Sequence, residues 1–127
     1  QRPREAQARF LRGVVDAEQG RLDAAATIFL GLIADYPELP EPWNNLAAIH
    51  AQKGDYESAR QALESALRAA PNWSVAHENM GDVYARLAAV SYDRAARGDG
   101  DNKTAPRKLL LIRELFPPAR PTSTPPR

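Results

Sequence analysis

At 127 residues and 14.0 kDa the chain has room for one compact domain with its own core. It has no cysteine, which excludes disulfide frameworks, thiolate zinc sites and cysteine nucleophiles. The net charge of +1 is unevenly spread, with six Lys/Arg against two Asp/Glu in residues 101–127 and eleven against fourteen before them. A mildly acidic body with a basic end is not the footprint of a nucleic-acid binder, whose cations cluster on one face.

No apolar run approaches the roughly 18 residues of a membrane span, and the opening QRPREAQARF lacks the apolar centre of a secretion signal. The reading is a soluble chain, for which cytoplasmic and exported (periplasmic) placement are both compatible. The first predicted helix runs from Arg4 to Gln19 behind Pro3, a residue suited to a helix start. After Gly20 a second runs from Leu22 to Asp35 with Ala25, Phe29 and Leu32 as its inward face. Gly13 is the small residue where the two cross, and Pro37 closes the pair.

Residues 40–73 cannot be one helix, because Gly54 and Asp55 fall in the middle, where a glycine costs about 1 kcal/mol against alanine. Two helices around Lys53-Gly54-Asp55 satisfy the pattern. Trp43, Leu46, Ala47 and His50 share one face of the first, while Ala59, Leu63, Ala66 and Leu67 share one face of the second. Alanines between larger apolar residues let the two axes approach as an antiparallel pair. Pro71 ends the second helix.

The next stretch opens with Ser74 as a predicted cap, and places His77, Met80, Gly81 and Tyr84 where the preceding unit has Trp43, Leu46, Ala47 and His50. Its second half departs from that order, since Ala88, Tyr92 and Ala95 follow too soon for a turn, and no Gly or Pro lies between Asp82 and Arg97. Either the chain turns sharply near Leu87-Ala88-Ala89, or one rod runs from about Val75 to Arg97. We prefer the rod, whose apolar second half a neighbouring subunit would have to cover, making residues 87–97 a candidate surface for homo-oligomers. After a loop at Gly98–Asn102, a last helix is predicted over 104–116, with Thr104 as cap and Leu109, Leu110, Ile112, Leu115 and Phe116 as an apolar stripe. Residues 117–127 are Pro-rich and read as an extended, mobile tail.

Glycines 20 and 54, and prolines 37 and 71, stand 34 residues apart. Together with Trp43, Leu46, Ala47, His50, Ala59, Leu63 and Pro71, that period resembles the tetratricopeptide repeat, a helix-turn-helix of about 34 residues patterned W-x2-L-G-x2-Y, A-x3-F, P. Ala47 replaces its glycine and His50 its tyrosine, while Arg9 and Arg12 stand at the Trp and Leu positions of the first unit, read as the outer end of the stack. The resemblance, to short bacterial-type members of the family, implies an all-α right-handed superhelix. It would contain three units, at about 6–39, 40–73 and 74–102, closed by a capping helix at 104–116.

Enzyme signatures are scarce. His50 and His77 sit at aromatic positions of helix-pair faces without metal-site neighbours, and the glycines follow crossings and turns rather than a phosphate loop. No catalytic residue, metal or cofactor is expected. The resemblance implies instead a concave groove lined by the first helix of each pair. The positions carried over are Phe10, Val14 and Ala17, then Asn44, Asn45, Ala48 and Gln52, then Glu78, Asn79, Asp82 and Arg86. Carboxamides at Asn44 and Asn45 suit a peptide backbone, and Glu78 with Asp82 suits a neutral or basic partner above a floor of Phe10 and Val14. Members that clamp a terminal carboxylate use Lys and Arg at positions reading Phe10, Val14, Asn45, Val75 and Asn79 here, so no clamp is implied. The leading expectation is a non-catalytic scaffold binding a protein segment. A self-association module and an accessory factor of a cell-envelope or secretion system are the alternatives.

Overall fold

The computed structural model describes residues 3–118, and among them it contains six helices and no strand. These are α1 (Arg4–Glu18), α2 (Leu22–Asp35), α3 (Pro40–Gln52), α4 (Tyr56–Ala69), α5 (Ser74–Gly98) and α6 (Thr104–Leu115). Packing runs mainly between helices adjacent in sequence, so the molecule is a stack of helical hairpins.

Two turns set the repeat. Gly20 and Gly54 adopt φ of 82° and 84°, the left-handed conformation that ends a helix with least strain in glycine. Around them the bonding is the same: Gly20 N–H donates to Ala17 O at 3.0 Å and Arg21 N–H to Asp16 O at 2.8 Å, while Gly54 N–H donates to Ala51 O at 3.0 Å and Asp55 N–H to His50 O at 2.8 Å. Asp55 then caps α4 by accepting from Ser58 N–H at 3.1 Å. The Ser58 hydroxyl and N–H together hold the Asp55 carboxyl below its ordinary range.

The hairpins bury the faces that their spacing predicts. Ala25, Phe29 and Leu32 of α2 are fully buried beside Ala6 of α1 and Leu46 and Ile49 of α3. Ala59, Leu63 and Ala66 of α4 are equally buried, and a second cluster joins Ala47, Ala59, Ala62 and Leu63 to Ala76, Met80 and Val83 of α5. Trp43 packs against both clusters and makes the core continuous from one hairpin to the next. Arg9, expected at the outer end of the stack, instead crosses to α2, where its Nη1 lies 2.7 Å from Asp35 Oδ2.

The third unit follows a different rule. Thirty-four residues beyond Gly54 stands Ala88, which cannot take the positive φ of the other turns without strain, and α5 runs through it as one helix of 25 residues, about 38 Å at 1.5 Å per residue. The rod is therefore the observed form. Because no second helix folds back against its first half, only Met80 of the expected inward face is buried. His77 and Gly81 are exposed and Tyr84 is 51% exposed, while Ala76, Met80 and Val83 turn toward α4. Ser74 makes no capping bond, and His77 Nε2 sits 2.8 Å from Pro71 O instead.

The small-residue positions of units one and three accordingly differ in load. A Cβ at Gly13 would lie 2.7 and 2.8 Å from the ring edge of Phe29, whereas one at Gly81 would meet nothing within 4 Å. Gly13→Ala is expected to destabilise, because overpacking a ring that cannot withdraw costs about 1–3 kcal/mol and exceeds the helix-propensity gain of roughly 1 kcal/mol. Gly81→Ala keeps that gain and should stabilise by about 0.5–1 kcal/mol. Urea titration of the two variants checks this through midpoints displaced in opposite directions.

α6 packs on α5, and Lys108 Nζ lies 5.9 Å from the centre of the Tyr92 ring. The cover expected from a neighbouring subunit is thus supplied, at least over Tyr92, from within the chain. The apolar stripe of α6 is narrower than predicted, with Leu109 buried and Ile112 and Phe116 half-buried while Leu110 and Leu115 stay 69% and 75% exposed. Its start is held by Asn102, whose Oδ1 accepts from Thr104 N–H at 3.1 Å and Ala105 N–H at 3.0 Å, so Asn102 rather than Thr104 does the capping. Pro117 and Pro118 lie beside α5; the remainder of the predicted tail, residues 119–127, falls outside the described residues.

Candidate functional site

A cleft opens between α3 and α5. Ala47, Ala51, Leu63 and Val83 form its floor, with Leu63 contributed by α4 from below. Asn44 and Ala48 of α3 line one wall, and Asn79, Asp82 and Arg86 of α5 line the other. The progression 79, 82/83, 86 keeps these α5 side chains on one helical face, whose inner edge at Val83 packs on α4 while Asp82 stays exposed.

Across the floor Asn79 Nδ2 donates to Asn44 Oδ1 at 2.9 Å, joining the walls at one end. That bond leaves the Asn44 amide hydrogens and the Asn79 carbonyl as further donors and acceptor for a backbone laid along the cleft. Asp82 is exposed and forms no ion pair among the described residues. Arg86 is held in place, with its Nη1 donating to Pro117 O and its guanidinium carbon 5.6 Å from the Tyr56 ring centre.

Five of the eleven residues expected at the groove come together: Asn44, Ala48, Asn79, Asp82 and Arg86. The other six do not line this cleft, with Ala17 packed on the first core cluster and Gln52 exposed at the end of α3. Phe10 and Val14 pack against the first core cluster, Phe10 with its ring centre 5.7 Å from that of Phe29, so the floor expected from them is made by alanines and Leu63 instead. Asn45 is half-buried one step round α3, and Glu78 is exposed one step round α5. Geometry explains the difference: α1 lies against α2 and barely reaches α3, so its residues cannot share a wall with α5.

A second cleft continues along α5 beyond Arg86. Ala89 and Val90 of α5, Tyr56 of α4 and Phe116 beyond α6 give it apolar surface, and Asp93, Arg94 and Arg113 stand around it. From the sequence, residues 87–97 read as a candidate surface for homo-oligomers rather than as the wall of a cleft, because the cleft exists only once α6 has docked. The available signal was the α5 stripe itself, which continues 79, 82, 86 with 89, 90 and 93.

His50 and His77 do not meet; His50 closes α3 near Asp55, whereas His77 rests on Pro71 O at the start of α5. No cluster of three or more His, Cys, Asp or Glu able to hold a metal occurs among the described residues. Nor is any helix among them long and apolar enough to cross a membrane.

Stacked helical hairpins with an open inner cleft define a helical-repeat interaction scaffold. Residues 16–87 match the family model of the tetratricopeptide repeat, and the chain belongs to that family. It is similar in structure to the crystal structure of the Sgt2 TPR domain from Aspergillus fumigatus, with a TM-score of 0.65 over 98% of this chain and 92% of that one, at 19% identity. At that identity the likeness concerns the fold, which is a superhelix of helix-turn-helix units. Proteins of this family are protein-binding modules and typically non-catalytic.

Proposed function

We propose that the chain is an adaptor that holds an extended segment of a partner protein in the cleft between α3 and α5. The observation that carries this reading is an apolar floor flanked by the Asn44–Asn79 carboxamide pair and the unpaired Asp82. Carboxamides recognise backbone without demanding charge, the floor accepts small apolar side chains, and Asp82 with nearby Glu78 favours neutral or basic residues. A photo-crosslinking residue at Ala48, which is exposed at the cleft, should capture the partner; the same residue at Arg68 on the outer face of α4 should not. The Asn79→Ala/Asp82→Lys pair should reduce that capture about tenfold, in line with loss of a hydrogen-bonded contact and reversal of a rim charge. Equal capture from both positions would sink the reading.

Self-association is the second reading. It is favoured by the exposed Tyr84 on α5, one turn beyond Gly81, where no other element comes within 4 Å of an added Cβ. Sedimentation over a wide range of protein concentration would reveal it as a mass that rises with concentration and returns to the monomer in a Tyr84→Glu variant.

A further inference from the structure

The second cleft is more basic than the first: its lining sets Arg86, Arg94 and Arg113 against Asp93, where the first sets Arg86 against Asp82. Arg94 and Arg113 border it from α5 and α6, and neither forms an ion pair among the described residues. The single acid in the lining, Asp93, is already engaged, its Oδ2 accepting from Arg97 Nε at 2.9 Å. Two exposed guanidinium groups therefore face an apolar surface of Val90, Phe116 and Tyr56, with Asp93 as the one carboxylate among the described lining residues. A guanidinium fork beside an apolar wall binds a carboxylate attached to an apolar neighbour better than either feature alone, because the wall excludes water from the charged contact.

Arg86 lines both clefts, and so makes them one continuous path along α5. We propose that this path reads a peptide segment of mixed charge, with an acidic side chain beside an aromatic or large aliphatic one seated between Arg94 and Arg113. The proposal rests on the groove reading for the other end of the segment, which lies along Asn79 and Asp82. It also fixes a spacing. Asp82 and Arg94 are twelve residues apart on α5, about 18 Å at 1.5 Å per residue, and an extended chain covers that length in roughly five residues at about 3.3 Å each. The preferred segment carries its basic or neutral position about five residues from its acidic one. The carboxylate-clamp positions of the family lie elsewhere in this chain and carry no Lys or Arg, so this pair of arginines is a separate feature built by the long α5 and the docked α6.

The test uses the full chain and an acetylated, amidated, fluorescently labelled hexapeptide with lysine first, phenylalanine fifth, glutamate last and alanine between. Its only carboxylate is a side chain. Anisotropy titration should show saturable binding that weakens about tenfold when glutamine replaces the glutamate, and by a similar factor in an Arg94→Glu/Arg113→Glu protein. Both arginines are exposed, so the variant should fold; the Arg94→Gln/Arg113→Gln protein, which adds no repulsion, should show the same loss to a smaller degree. Moving the lysine next to the glutamate should also weaken binding in wild type. If the glutamine peptide binds as well as the parent, or if inorganic phosphate at equal ionic strength displaces the parent as well as unlabelled peptide does, the acidic–apolar site is overturned. If Asp82→Lys and Asn79→Ala reduce binding while the arginine variants do not, the groove reading stands and this inference falls. If the arginine variants reduce it while Asp82→Lys and Asn79→Ala do not, the anion site stands and the groove reading fails.

Discussion

Phe29→Ala is expected to lower the unfolding free energy by about 3–5 kcal/mol, near the top of the range for a single core truncation. The Phe29 side chain is fully buried, its ring edge packs on the Gly13 backbone, and its centre is 5.7 Å from that of Phe10. Neither neighbour can fill the space. Gly13 has no side chain to move inward, and Phe10 is tethered to the same helix face as Val14 and Ala17, which pack on the same cluster. A small domain has about 5–15 kcal/mol in all, so this loss approaches the whole of it. In a stack where each helix touches chiefly its neighbours, the damage should also be local at first. Hydrogen exchange should show α1 and α2 losing protection before α4 and α5, alongside a large drop in the urea midpoint. A change below about 1 kcal/mol would mean that α1 is not held through Phe29, and that the first hairpin is assembled differently.

Phe29 is also where sequence and structure agree most closely, and the reason is physical. Its partners lie on its own helix and on the two helices adjacent to it in sequence, so the spacing Ala25, Phe29, Leu32 contains much of the information about what it meets. The same holds for Leu63, and for Gly20 and Gly54, whose positive φ marks the turns independently of anything distant. His77, Gly81 and Tyr84 looked equivalent by spacing, yet they lie exposed. Their burial depended on a helix folding back over them, and that required a residue tolerant of positive φ where Ala88 stands. The family pattern fixes which residues could pack, while the turn decides whether the packing partner arrives.

The site divides along the same line. Asn44, Ala48, Asn79, Asp82 and Arg86 were legible because the cleft forms between helices of adjacent units, one period apart. Phe10 and Val14 do not line this cleft because the end helix of a stack has a neighbour on one side only, which draws its apolar residues into that contact. Arg94 and Arg113 were invisible as a pair, since they lie on different helices whose docking no local periodicity predicts. Asn102 was missed for a smaller reason: its side chain serves the two N–H groups just after it, and Thr104 has the same capping chemistry two residues later.

Ala88→Pro should be the most consequential single change for function, and its effect follows from the continuity of α5. Proline at this position removes the N–H that would bond the Tyr84 carbonyl and drives its ring into that carbonyl, at a cost of about 3 kcal/mol or more. Ala88→Gly is the control, costing only about 1 kcal/mol because it keeps the bond. A chain that turned at Leu87-Ala88-Ala89 would tolerate proline there, so a loss under about 1 kcal/mol would contradict the unbroken helix. The break falls between Arg86, which lines both clefts, and Ala89, Val90, Asp93 and Arg94, which form the rest of the α5 side of the second. A kink at 88 swings the second group and α6 away from the first and stretches the contact between Arg86 and Pro117. Hydrogen exchange should rise from residue 89 through α6 while α2, α3 and α4 keep their protection. The hexapeptide should then lose the contribution of its glutamate although both arginines are still present, because a ligand that spans two clefts gains from both only while one rigid helix fixes the distance between them.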